Sequence, residues 1–313
     1  MVPVPASLAG DLSHRSGTVR LNTSRRSSAL PSLASAPPEA LFLLSAVAQY
    51  LGAVIAVDLF DEVSPRTVAW MRVLGAALVL VVMAGPRLRQ RWTRKDFVAM
   101  AVFGIATSLM NTFFYIAIDR LPLGKGVAIE FIGPITVAAL RTRTRRNALA
   151  LSSAALGVAV LSGIELGNEP LGLLFIFLAS AMWAAYIVIG SRVAQQDRGI
   201  ASLAIGLAIG ALVITPIGAP GSGSAWTSPR LVLACLAVGI LSNAIGYGID
   251  QKILRRIPVR RFSVLLALLP VTAMVIGFLA LDQSPSAIDL IGITLVLTGV
   301  AVQEREVLES DSP

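Results

Sequence analysis

Residues 120–136 read RLPLGKGVAIEFIGPIT, and residues 256–272 read RIPVRRFSVLLALLPVT. A shift of 136 positions lays Arg120 on Arg256, Pro122 on Pro258, Pro134 on Pro270 and Thr136 on Thr272; it also lays Tyr50 on Tyr186 and Gly163 on Gly299. The chain therefore reads as a duplicated unit. Around these segments lie apolar runs at 40–58, 66–84, 96–118, 122–141, 147–163, 171–192, 200–217, 230–250, 258–280 and 286–302. Each has about the length that crosses a roughly 30 Å hydrocarbon core as a helix. The predicted fold is an all-α membrane protein of ten transmembrane helices in two five-helix repeats, 39–165 and 170–303, between polar tails at 1–38 and 304–313. Five is odd, so the second repeat must enter the membrane upside down. Inverted repeats related by an axis in the membrane plane are a transporter arrangement, because exchanging the conformations of the two halves moves a central cavity from one side to the other. The prolines 12 positions apart in each half predict that the fourth and ninth helices superpose and both line that cavity.

Composition agrees. Of the 313 residues, 55% are hydrophobic and 14% charged, and mean hydropathy is +0.77, against roughly 25% charged residues in soluble domains. The net charge of +8 is not a nucleic-acid footprint, since the basic residues sit in short connections where they orient helices. With a cytoplasmic N-terminus, the inside segments hold every Lys and Arg except Arg66, Arg72, Arg120, Lys125 and Arg230. That asymmetry places both termini in the cytoplasm and the chain in the inner (plasma) membrane. The lone Cys235 lies in an apolar run, with no partner for a disulfide or thiolate metal site, and His14, the single histidine, lies in the polar tail. No cofactor or metal is expected. Residues 1–38, rich in Ser, Pro and Arg, read as a disordered cytoplasmic tail without a signal-peptide core.

Polar residues inside the runs are the candidate site. Glu130 falls in mid-run, where an isolated charge costs roughly 2.5–3.5 kcal/mol and calls for a partner or a proton. Pro134, four residues on, removes the backbone donor that would reach the Glu130 carbonyl and leaves a polar notch. At about 1.5 Å per residue, Glu130 and Tyr50 lie about 12 Å from the outer surface, Asn111 about 10 Å and Arg72 about 9 Å, depths that allow one shared cavity. Arg72 equally suits an interfacial anchor. The second half offers Trp183, Tyr186, Asn243 and Tyr247, nearer the inner surface, where helix–helix hydrogen bonding is the plainer use. Gly206 and Gly210 form a GxxxG pair that serves either internal packing or a homodimer seam.

Two stretches carry a family resemblance. Leu121 to Pro134 (LPLGKGVAIEFIGP) and residues 183–193 (WAAYIVIGSRV) resemble the EamA-type carriers of the drug/metabolite transporter superfamily, and within it the threonine/homoserine exporter group. Leu51-Gly52-Ala53, Leu59-Phe60, Trp70-Met71-Arg72 and Tyr247 to Asp250 add to the match, which spans about 40–302; Lys125, Gly246, Asp250 and Leu269 depart from the group's usual residues. The resemblance implies a cavity between the halves and export of small polar metabolites such as amino acids, driven by protons. It implies a carrier and not an enzyme. The competing readings are a membrane-embedded enzyme, which would need a His, Cys or paired-carboxylate cluster that the sequence lacks, and a structural or sensory membrane protein, which would not need Glu130 at mid-depth.

Overall fold

Four helices begin at a proline. Its fixed φ suits the first helical position, and its missing N–H would have had no helical partner there. These are α1 (Pro38–Asp58), α2 (Pro65–Ala84), α7 (Pro170–Ala194) and α10 (Pro229–Gly239). Ser64 caps α2 by accepting from the Thr67 amide, and a Thr93/Asp96 capping box opens α3 (Arg94–Ile118). The remaining helices are α4 (Leu123–Glu130), α5 (Ile132–Arg141), α6 (Arg145–Asn168), α8 (Gly199–Gly218), the short α9 (Gly223–Trp226), α11 (Leu268–Leu281) and α12 (Ala287–Val302). The structure, a computed structural model, describes residues 36–141, 144–194, 199–246, 249, 253, 265–266 and 268–302. Tyr247 and nearly all of the two tails lie outside that set.

All the described regular structure is helical, and six helices are long and apolar enough to cross a membrane: Pro38–Asp58, Pro65–Arg89, Arg94–Ile118, Pro170–Val188, Ile200–Gly218 and Pro229–Gly246. Their outward faces are apolar. Val82 is 80% exposed and Leu212 73%, apolar surface that lipid covers without cost. The chain is an all-α, multi-pass membrane protein.

Apolar side chains gain little by meeting one another in lipid, so close backbone approach through small residues holds such bundles together. A Cβ on Gly104 of α3 would strike the carbonyl of Gly206 on α8, and one on Gly210 would strike the Gly104 carbonyl and the Ser108 hydroxyl. The GxxxG pair is thus spent on α3 inside the chain, and a homodimer would have to use another face. The same device joins α6 to α12, where a Cβ on Gly157 would stand 2.6 Å from the Gly292 carbonyl oxygen. Hydrogen bonds add to the α2–α8 contact: Trp70 Nε1 donates to Thr215 Oγ1 (3.0 Å) and Thr67 Oγ1 to the Gly218 carbonyl (2.8 Å).

Two irregularities sit inside apolar runs. The run expected as one helix over 122–141 breaks at Phe131, between α4 and α5. Pro134 explains the place, since it has no N–H to offer the Glu130 carbonyl, and regular bonding resumes with the Ile135 amide on the Phe131 carbonyl (3.2 Å). The second is a π-turn over Ile240–Gly246, continuing α10. It packs against α1 and α2, and there Ser242 sits so close to Gly52 that a Cβ at that position would displace its hydroxyl.

Candidate functional site

Glu130 ends α4, a helix whose every residue is buried. Among the described residues no hydrogen bond or ion pair within 4 Å reaches its carboxylate; the charged group that acts on it is Arg72. Trp183 of α7 sets its ring edge-on against Phe131, centroids 4.9 Å apart, closing the helix break from the side.

Arg72 is 6% exposed on α2 and is bound across the molecule. Its Nε donates to Asn243 Oδ1 at 3.0 Å, from the π-turn 171 residues away, and its guanidinium lies over the Tyr115 ring of α3, 4.8 Å from the centroid. A Cβ on Gly239 would strike the Arg72 carbonyl, so glycine there lets α10 approach. Held by a side-chain amide and an aromatic face, the guanidinium is turned into the bundle, which speaks against the interfacial anchor.

The other expected residues divide. Tyr50 and Asn111 are buried, but Asn111 turns its Nδ2 onto the Thr107 carbonyl of its own helix at 2.7 Å. Tyr186 packs its ring against that of Phe103, centroids 4.9 Å apart. Arg72 and Asn243, assigned from sequence to different depths, meet because the long arginine side chain spans the gap. Tyr115 was missed. It falls four residues after Asn111, on one face of α3, and that spacing was the available signal.

A second polar centre was not anticipated. Lys125 Nζ of α4 stands 2.9 Å from Asp289 Oδ1 of α12, with side-chain exposures of 7% and 13%. Asp289 Oδ2 also accepts from the amide and hydroxyl of Ser286, and the Leu123 amide donates to Gln283 Oε1 (2.8 Å). The pair borders a cavity of about 100 Å³ lined by Pro122, Gly124, Met274 and Gln283. Beside it, where α1 and α3 end, a wider recess of about 400 Å³ carries Asp58, Asp61, Asp119 and Asp282. Burial pushes the Asp119 carboxyl above the usual carboxylate range; Arg120 opposes the shift while Asp61 and Glu169 add to it.

The Lys125–Asp289 pair makes a stability prediction. Removing one partner strands a buried charge, whereas removing both does not. Lys125→Met is expected to destabilise the protein by about 3 kcal/mol, and Lys125→Met with Asp289→Leu to recover most of that loss. Thermal unfolding of the purified variants in detergent measures it, and additive losses would count against the pair.

Buried opposite charges on α2 and α4, a helix broken beside one of them and a lipid-facing exterior fit a polytopic membrane transporter. The chain belongs to the EamA-like transporter family, whose profile matches it twice, over residues 37–166 and 170–303. The family is one of transporters and not of enzymes. The chain is 32% identical over 263 residues to the threonine/homoserine exporter RhtA of Escherichia coli K12, covering 83% of this chain and 88% of that one. It is 31% identical to the exporter of the same name from Salmonella typhimurium SL1344, covering 79% and 84%. An uncharacterized transporter of Archaeoglobus fulgidus matches at 22% identity, covering 78% and 90%. A solved crystal structure superposes with a TM-score of 0.58 at 20% identity, covering 85% of this chain and 96% of that one, a likeness of fold.

Proposed function

We propose that this protein exports a small zwitterionic amino acid, of the threonine/homoserine kind, by proton-coupled alternating access. One observation carries the reading: Glu130 and Arg72 are both buried, and each is within the other's field, yet they form no ion pair. A molecule with an ammonium at one end and a carboxylate at the other complements both. Glu130 takes the ammonium or, in its place, a proton, because a carboxylate at that depth is costly without one or the other. Arg72 takes the carboxylate with charge-assisted hydrogen bonds. The substrate named for the RhtA relatives supports this choice.

Inverted halves suit alternating access, and the contact pattern supports them. Under the 136-residue shift α1 corresponds to α7, α2 to α8, α3 to α10, α4/α5 to α11 and α6 to α12. The contacts respect that exchange: α1 on α10 answers α7 on α3, α2 on α10 answers α8 on α3, and α1 on α11 answers α7 on α4 and α5. The self-corresponding pairs α2–α8, α4–α11 and α6–α12 also touch. The repeats are thus assigned to 39–165 and 170–303, making ten transmembrane helices around a two-fold axis in the membrane plane.

The Lys/Arg distribution supports an orientation with both termini and the 85–95 connection in the cytoplasm, and the chain in the inner membrane. A cysteine in place of Arg91 is expected to resist an impermeant thiol reagent in intact cells and to react once they are opened. Rapid labelling of intact cells contradicts the orientation. The export reading is tested by amino-acid pools: cells making the protein should hold less threonine or homoserine inside and more outside than cells lacking it. Unchanged pools would count against it.

A further inference from the structure

We propose that Tyr115 and Asn243 join Arg72 as a set of donors that reads the substrate carboxylate, so that the free acid is selected over its amide. This rests on the amino-acid reading above. Arginine only donates, so the Asn243 atom facing Arg72 Nε at 3.0 Å has to be the oxygen; the amide orientation is fixed by chemistry. Asn243 Nδ2 is therefore turned away from Arg72, completely buried, and without a hydrogen-bond partner among the described residues. The Tyr115 hydroxyl, also buried, makes no hydrogen bond of good geometry among the described residues, although the side chains of Arg72 and Ser242 stand within hydrogen-bonding reach of it. Ser242 donates its own proton to the Gln49 carbonyl at 3.2 Å.

The result is an excess of donors. The guanidinium, an amide NH₂ and a phenol meet from α2, the π-turn and α3; the Asn243 amide oxygen is already used by Arg72, and the acceptors left beside them are the hydroxyl oxygens of Tyr115 and Ser242. A buried donor left unpaired costs about 1–3 kcal/mol, so such a group marks a site completed by something else. The complement of clustered donors around a cation is an anion that only accepts. A carboxylate does so with two oxygens, while a carboxamide turns an NH₂ towards other donors. Sites built on buried hydrogen bonds reject the analogue that leaves them unmatched. Asn243 comes from the second half of the chain and the other two from the first, so the carboxylate also ties the halves together.

The test is isothermal titration of the full-length protein in detergent with L-threonine and with L-threonine amide, at a pH where both carry an ammonium group. Wild type is expected to prefer threonine. Tyr115→Phe, which removes one oxygen, is expected to weaken threonine binding about tenfold and leave the amide unchanged. Asn243→Asp keeps an oxygen on Arg72 and puts an acceptor where Nδ2 stood, and is expected to abolish the preference. If Asn243→Asp does not accumulate as folded protein, Tyr115→Phe carries the test. Equal weakening of both ligands, or no change in a wild-type preference, overturns the donor set and leaves the amino-acid reading standing. Wild type that binds threonine no better than its amide also overturns the donor set, and wild type that binds neither overturns both.

Discussion

Glu130→Gln is expected to abolish gradient-driven export while leaving the protein folded and inserted. The substitution keeps the size and hydrogen-bonding capacity of the side chain and removes its charge and its proton. A neutral side chain at this depth is easier to bury than a carboxylate, so folding should not suffer. Transport should, because nothing remains to exchange a proton for the substrate's ammonium. A ligand shifts a conformational equilibrium only by binding its states differently, and loss of the exchanging group removes the difference that couples proton to substrate. The measurement is export at matched protein level with the pH gradient imposed. A purely structural glutamate predicts either normal transport by the variant or failure to accumulate.

Arg72→Gln is expected to raise the KM for export at least about tenfold, since a charge-assisted hydrogen bond contributes roughly 1.5–3 kcal/mol and this residue is assigned the substrate carboxylate. The single variant also strips Glu130 of the positive charge that acts on it, and part of its defect could come from folding. Combining Arg72→Gln with Glu130→Gln separates the two. The double variant carries neither buried charge and should accumulate at least as well as Arg72→Gln alone. Here it should remain inactive. Normal transport by the double variant would show that the two charges serve only to neutralise each other. Arg72→Lys tests geometry instead of charge: the ammonium lacks the planar fork that holds Asn243 while lying over Tyr115, so partial activity with a raised KM is expected.

Local signals carried far in this sequence. Apolar run length placed the starts of α1, α2, α7 and α10 within two residues of their observed prolines, and Pro134 marked the polar notch beside Glu130, though not that the helix breaks there. Both are signals carried by a single stretch of chain. Side-chain meetings depend on the packed bundle and were harder to read. Lys125 and Asp289 are 164 positions apart, and in the sequence each is a lone charge at the edge of an apolar run. Depth along a helix axis also misled for Arg72 and Asn243, because it takes no account of how far an arginine reaches. For Asn111 depth carried no information about direction, and its amide folds back on Thr107 as polar side chains in apolar helices often do. Tyr115 was passed over as one aromatic in an aromatic stretch, Phe113-Phe114-Tyr115, and only its contact with Arg72 distinguishes it.

The most direct test of the account is the uptake of labelled L-threonine and L-homoserine into inside-out membrane vesicles, in which export appears as accumulation. With the vesicle interior acidified, the account predicts concentrative uptake that depends on this protein and vanishes when the proton gradient is collapsed. Accumulation that persists without the gradient would contradict the coupling, and no protein-dependent uptake of either amino acid would contradict the assignment of substrate.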